Sequence, residues 1–289
     1  MTNADAEDTY DPIEVPPDYP SLDFRPKVLC NWALILAFFF FSGCMGGITT
    51  LTVLHRTRPD LLHIRLTPYR LTSAYLPTVI GSISTLWFRA IVRSYTRFSP
   101  YVMMASVSTS ALNGTNDRAS RAMYTLSNLS YFDFSITGIV SLIRNGYATT
   151  PLVQIVLILT TIFLAPLKTG LLQLTQDEAG WDIHINKVIA YLLISIYTIL
   201  LISVAVVFFR LLGTQTGLKW DPASLAAQLG LIKHMNSLDA FSGSEFCTRL
   251  EAKRRSSRWG QQFGTLRLGY WRHTETEAIV HGIRFVGGE

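Results

Sequence analysis

The sequence predicts an all-α polytopic membrane protein of about four transmembrane helices. A disordered acidic N-terminal tail (1–24) precedes the membrane region (25–212), and a small basic C-terminal tail (213–289) carries helices and a β-hairpin. Three observations carry that prediction. Of 289 residues, 49% are hydrophobic and only 16% charged, where soluble domains carry roughly 25% charged residues. The mean hydropathy is +0.28. The charge is missing from particular stretches: 28–54, 71–88, 145–167 and 188–209 hold no Asp, Glu, Lys or Arg. Each stretch approaches or exceeds the roughly 20 apolar residues that cross a bilayer. A soluble chain of this size has no core large enough to enclose four such helices.

The first 24 residues hold seven acidic side chains and no basic one. Their Pro- and Asp-rich composition buries too little apolar surface to fold. The same charge is the reverse of a positive signal-peptide n-region, so the first span is expected to act as its own uncleaved insertion signal. Within the tail, VPPDYP places Pro16, Pro17 and Tyr19 in the Pro-Pro-x-Tyr pattern of a WW-domain ligand. Such a ligand docks as a polyproline II segment in an aromatic groove. Solvated tail is the other reading, and a cytosolic N-terminus is a condition of the first.

The first span (about 28–54) has Arg25 and Lys27 at its mouth and Trp32 near the interface. Ser42 with Gly46 and Gly43 with Gly47 form small-xxx-small pairs that admit a close helix neighbour, from the same chain or a second copy. The second span (about 71–91) is short, and Pro77 and Gly81 predict a kink, which leaves a re-entrant or tilted helix as an alternative. Arg70 and Arg89 bracket it and snorkel to headgroups. In the polar connection that follows, 131–143 is apolar enough to lie along the interface and too short to cross. The third span (about 148–170) ends near Pro166 and Lys168; with Asp177 and Glu178 close by, Lys168 is expected to reach the interface. The fourth (about 188–210) contains, before Arg210 at its end, no ionisable group but the phenols of Tyr191 and Tyr197 and reads as a plain anchor.

Beyond it, Asp221 and Pro222 make a helix start, an N-cap acceptor followed by the residue favoured at the first helical position, and the helix is expected to run through ASLAAQLGLIKHM. Ser244 caps a second helix reaching Arg254. TLRLGYWR alternates Leu266, Leu268 and Tyr270, and AIVHGIRFV follows the polar HTETE, which together predict the hairpin.

None of the catalytic patterns HExxH, P-loop, GxSxG, strand-coupled GxGxxG or EF-hand is present. The expectation is therefore no enzyme, no cofactor and no metal. His273, Glu275, Glu277 and His281 cluster in sequence, but their spacing fits no standard metal site and reads as an exposed turn. Three cysteines give no disulfide framework. In KRRSSR, the side chains Lys253, Arg254, Arg255 and Arg258 are candidates for anionic lipid, at about 1 kcal/mol per charge near the surface. The partners implied are the lipid bilayer and, through the N-terminal tail, a WW-domain protein, with no nucleic acid. The compartment is the plasma membrane or an endomembrane.

With a cytosolic N-terminus, ten Lys and Arg of the connections fall inside and six outside, which favours that orientation. Two sequons, at Asn113 and Asn128, oppose it, because glycosylation needs a luminal connection.

The motifs FRPKVLCNW, YLPTVIGSISTLWF, SPYVMMA, APLKTGLL, WDPASLAAQLGLI, LRLGYWR and HGIRF, in this order between Phe24 and Phe285, resemble a fungal family of multi-pass integral membrane proteins known as a domain of unknown function. The resemblance implies a membrane protein with no assigned activity; longer members often carry the unit twice, and this chain carries it once. Two function classes follow. One is a non-enzymatic membrane scaffold or regulator whose tails present contacts to cytosolic partners. The other is a transporter or channel subunit, supported by Pro77, Gly81, Pro166 and Lys168, since broken helices line transport sites.

Overall fold

The computed structural model describes residues 10–57, 63–64, 67–110, 143, 148–177, 180–222, 225–233 and 265–286. In chain order the elements are β1 (Tyr10–Ile13), a short 3-10 turn (Lys27–Leu29), α1 (Asn31–Thr57), β2 (His63–Ile64), α2 (Thr67–Ser110), α3 (Thr149–Leu171), β3 (Leu172–Asp177), β4 (Gly180–Ile185), α4 (Lys187–Leu211), α5 (Leu225–Ile232), β5 (Thr265–His273) and β6 (Ile279–Val286). The chain divides into two compact units, one made of residues 27–95 and 149–212, the other of 1–26, 96–148 and 213–289.

The first unit is helical. On α1 the buried residues Ala33, Leu34, Ala37, Phe41 and Ile48 recur at helical spacing, and on α4 Ala190, Leu193, Tyr197, Leu200, Val204, Val207 and Leu211 recur at alternating steps of three and four. These stripes face each other, with Phe41 6.4 Å from Tyr197 and the Thr198 hydroxyl 3.5 Å from the Met45 sulfur. The opposite faces expose Leu36, Phe39, Val53, Val188, Leu192, Ile202 and Phe209. Apolar surface on both sides of a helix is what lipid permits and water does not. Hydroxyls inside the spans are satisfied locally: Thr49 donates to the Met45 carbonyl, Thr50 to Gly46, Ser82 to Thr78, Thr85 to Gly81 and Ser203 to Ile199. No other helix is needed to keep these groups paired in hydrocarbon.

Neighbouring helices run antiparallel. Phe88 of α2 meets Phe41, and a Cβ on Gly170 near the end of α3 would lie 2.8 Å from Ile189 near the start of α4. Asn186 caps α4, its side chain accepting from the backbone N–H of Val188 and Ile189; this satisfies orphan donors of the first turn. The connections between α1 and α2 and between α3 and α4 meet in a small antiparallel sheet of order β2-β4-β3, with His63 opposite Asp182 and Leu172 opposite Ile185.

The second unit is built on an antiparallel sheet of order β1-β5-β6. The predicted hairpin is present, with Leu268 opposite Ile283 and Tyr270 opposite His281. Helix α5 packs on β6 so closely that a Cβ on Gly282 would come 2.8 Å from the Leu231 carbonyl oxygen. Trp271, Tyr270 and Leu268 are buried, and the Trp271 indole donates to the Gly282 carbonyl at 3.0 Å. Gly217, at φ +72°, threads between Ala105 and Leu268, where a Cβ would come within 2.8 Å of the Ala105 methyl.

Several expectations are corrected. The N-terminal tail is not disordered from residue 10 onward: Tyr10–Ile13 form β1, paired with β5 through Tyr10 opposite His273 and Ile13 opposite Tyr270. An edge position tolerates Pro12, which has no N–H for a further ladder. Two three-stranded sheets make the protein mostly helical rather than all-α. The second span is neither short nor broken; α2 continues through Pro77 and Gly81 for 44 residues. Among the described residues three helices are long and apolar enough to cross a membrane, namely Asn31–Thr57, Tyr75–Val102 and Lys187–Leu211, and Thr149–Leu164 forms a shorter apolar helix. The helix expected after Asp221 and Pro222 is described over Leu225–Ile232, and the Asp221 carboxylate is engaged by Arg97 at 2.9 and 3.0 Å. The interfacial stretch expected at 131–143 lies, but for Ile143, outside the described residues, as does the helix expected from Ser244.

Candidate functional site

The N-terminal segment 10–25 and the segment after α4 fold around each other. The Phe24 N–H donates to the Leu218 carbonyl and the Gly217 N–H to the Leu22 carbonyl, both at 3.0 Å. Arg25 donates to the Thr214 carbonyl at 2.9 Å, and the Thr216 hydroxyl to the Phe24 carbonyl at 2.9 Å. The end of α2 joins them, through the Arg97–Asp221 ion pair and the packing of Phe98 on Phe24 at 6.2 Å.

The WW-ligand residues lie in this assembly. The Tyr19 N–H donates to the Pro16 carbonyl at 3.0 Å, closing a β-turn with Pro17 and Asp18 at its centre. Among described residues only Glu277 is a non-glycine with positive φ. Asp18 therefore lacks the positive φ of a type II turn, and Pro17 takes the α-like conformation of a type I turn rather than polyproline II. The Tyr19 ring packs edge-on against Tyr270 at 5.4 Å, and the Tyr270 hydroxyl donates to the Pro20 carbonyl at 2.9 Å. The Lys219 ammonium lies 4.4 Å from the Tyr270 ring centroid and 5.8 Å from that of Tyr19, within cation–π range. Desolvation holds the Lys219 pKa below that of an ordinary lysine, the negative potential near Tyr19 opposing it, and burial raises that of Tyr270.

The histidines expected in an exposed turn do separate work. His273 Nδ1 accepts from the N–H of Glu275 and Thr276 and so orders the β5–β6 turn, while its ring meets Tyr10 edge-on at 4.8 Å. His281 Nε2 donates to the Gly217 carbonyl at 2.9 Å, which leaves Nδ1 buried without a hydrogen bond among the described residues. Burial depresses the His281 pKa; the Gly217 bond opposes the shift and Lys219 adds to it. Among the described residues no three of His, Cys, Asp and Glu gather into a metal-binding group.

In the helical unit, of the expected packing residues Ser42, Gly43, Gly46 and Gly47, a Cβ on any of the three glycines would meet nothing within 4 Å among the described residues. Gly43 and Gly47 instead line an apolar groove of about 570 Å³ with Phe39, Leu76, Pro77 and Leu171 among its walls. Phe40 of α1 and Trp87 of α2 meet with tilted rings, their centroids 5.4 Å apart. The fourth span is not a plain anchor: Tyr197 and Ser84, both fully buried, approach to 3.1 Å. Ser84 already donates to the Ile80 carbonyl, so the phenol is the donor. A serine and a tyrosine 113 positions apart leave no pairing signal in sequence. Asn113, Asn128, Lys253, Arg254, Arg255 and Arg258 lie outside the described residues.

Residues 71–173 match the family described as a protein of unknown function (DUF3433), which bears out the resemblance to a domain of unknown function over α2, the connection after it and α3. No curated protein and no solved structure matches the chain.

Proposed function

We propose that the chain is a non-enzymatic membrane scaffold or regulator: four helices cross the bilayer, and two tails on the same side fold into one body for cytosolic partners. The pairing of β1 with β5 carries the reading. Strands that share a sheet share a side of the membrane, so the chain between them crosses an even number of times. The end of α2 bonds to the same tails through Arg97 and Phe98, so α1 and α2 cross as a pair. The Tyr95 hydroxyl donates to Thr149 at the start of α3 at 3.2 Å, and the residues after α4 pair with Leu22 and Phe24. Parity then makes α3 cross with α4, although its apolar stretch is the shorter one. Two crossings in each half give four. The half-helix breaks on which a transport reading rests are continuous helix at Pro77, Gly81 and Pro166.

Cysteine labelling in sealed vesicles tests the topology. In a chain with Cys30, Cys44 and Cys247 replaced by alanine, single cysteines at Asp11 and Thr276 label from one side, and those at Arg56 and Lys187 from the other. Asp11 and Thr276 labelling from opposite sides would sink the proposal.

A further inference from the structure

We infer that the Pro16–Tyr19 turn is a latched ligand: the N-terminal strand occupies the edge of β5, and a WW domain that reads Pro-Pro-x-Tyr binds only after that strand is released. The inference deepens the scaffold reading and rests on it for the tails being cytosolic. Three contacts set the latch. The Tyr10 ring centroid lies 3.6 Å from the Arg284 guanidinium carbon, and the ring meets His273 edge-on at 4.8 Å. The β1–β5 ladder runs from Tyr10 to Ile13. The Tyr270 hydroxyl and ring hold Pro20 and Tyr19.

The latched shape is not the one a WW groove accepts. That groove reads two prolines in polyproline II geometry and takes the tyrosine side chain into a pocket of its own. Here Pro17 sits inside a hydrogen-bonded turn, and the Tyr19 ring is committed to Tyr270 and Lys219. Docking and latching therefore exclude each other. The latch is light enough to open: four residues on a sheet edge, of which Asp11 and Pro12 are exposed, followed by exposed Glu14 and Val15. An open state populated at about 0.1–10% weakens apparent binding by roughly 10- to 1,000-fold relative to a free ligand.

The test uses the full chain in lipid nanodiscs, where both faces are open to solvent and binding does not depend on orientation. The probe is a purified WW domain of the Pro-Pro-x-Tyr class, titrated against a synthetic peptide of residues 11–24 and against the full chain. The peptide is expected to bind at least tenfold more tightly than the wild-type chain. Tyr10→Ala should bring the chain toward the peptide's affinity. Asp11→Cys with Arg272→Cys, which lie opposite each other on β1 and β5, should close the latch when oxidised and restore wild-type binding on reduction. Equal affinity of peptide and wild-type chain overturns the latch while leaving the scaffold reading standing. A peptide that does not bind overturns the assignment of partner. If Tyr10→Ala fails to tighten binding while the oxidised double-cysteine chain still binds, β1 does not gate the ligand and the inference falls.

Discussion

Replacing Tyr197 by phenylalanine removes one hydroxyl from the middle of the helical unit and nothing else. The phenol donates to Ser84 at 3.1 Å, and the Ser84 proton is already committed to the Ile80 carbonyl at 2.7 Å. Ser84 keeps its own proton paired when that donor is deleted, and the Cys44 thiol, the other hydrogen-bond partner of the phenol, is a weak one, which keeps the cost near the mean for a bond between membrane helices, about 0.6 kcal/mol, and below a ceiling of about 1.7. The ring is a different matter. It is fully buried against Phe41, and truncating a buried aromatic to alanine costs about 3–5 kcal/mol. At about 2–4 °C per kcal/mol for chains approaching this size, Tyr197→Phe should lower the melting temperature of the detergent-solubilised protein by about 1–3 °C. Tyr197→Ala should lower it by at least about 6 °C. Tryptophan fluorescence is a suitable probe, because Trp87 packs on Phe40 and Phe41 beside the site. Ser84→Ala completes a cycle whose coupling should match the Tyr197→Phe loss. A Tyr197→Phe chain as unstable as Tyr197→Ala would refute the reasoning, since the hydroxyl would then hold far more than one bond.

Four further outcomes follow from the same geometry. Gly217→Ala should destabilise the sheet unit by more than about 1 kcal/mol, because φ +72° is strained for a residue with a Cβ and the Ala105 methyl is 2.8 Å from where it would sit; protease resistance of the tails reports it. Gly282→Ala should have a similar effect through collision with the Leu231 carbonyl oxygen, a backbone atom that cannot swing aside. The sheet unit should lose stability as pH falls from about 6.5: the folded His281 pKa is depressed, so the unfolded chain binds the proton first and acid favours unfolding, while stability is whole above that range. His281→Gln should flatten the profile. On the proposed topology the connection after α2 lies on the same side as the tails, so a glycan at Asn113 or Asn128 would place Pro16–Tyr19 in the lumen; with a cytosolic tail, endoglycosidase treatment of wild type and of the two Asn→Gln variants should give no mobility shift.

What could be read from the sequence was local. The charge-free runs gave α1, α3 and α4 to within about four residues of each end, because a spanning helix is specified by its own composition. The β5–β6 hairpin was legible from the alternation around Leu268 and Tyr270 and the polar turn between. What was missed depends on partners distant in the chain. Tyr10–Ile13 has an acidic, proline-bearing composition that belongs to no strand until His273 lies opposite it. The length of α2 was hidden by Arg89, Arg93 and Arg97, which end an apolar run without ending a helix, since arginine is a good helix former. Pro77 was read as a break, yet the α2 backbone runs through it. The turn at Pro16–Tyr19 was missed for a related reason: its pattern was recognised, but its conformation is set by Tyr270.

The sheet that joins the two tails also imposes an order in time. Tyr10 leaves the ribosome about 260 residues before His273, which at about 5–20 residues per second is roughly 13–50 seconds. Through that interval the first strand has no partner, and the four apolar helices α1–α4 are all synthesised before the sheet can close. A chain halted anywhere upstream of β5 would insert its helices and still carry a loose N-terminal end. Closure of the sheet thus reports that synthesis has passed β5, and it is registered on a strand made long before.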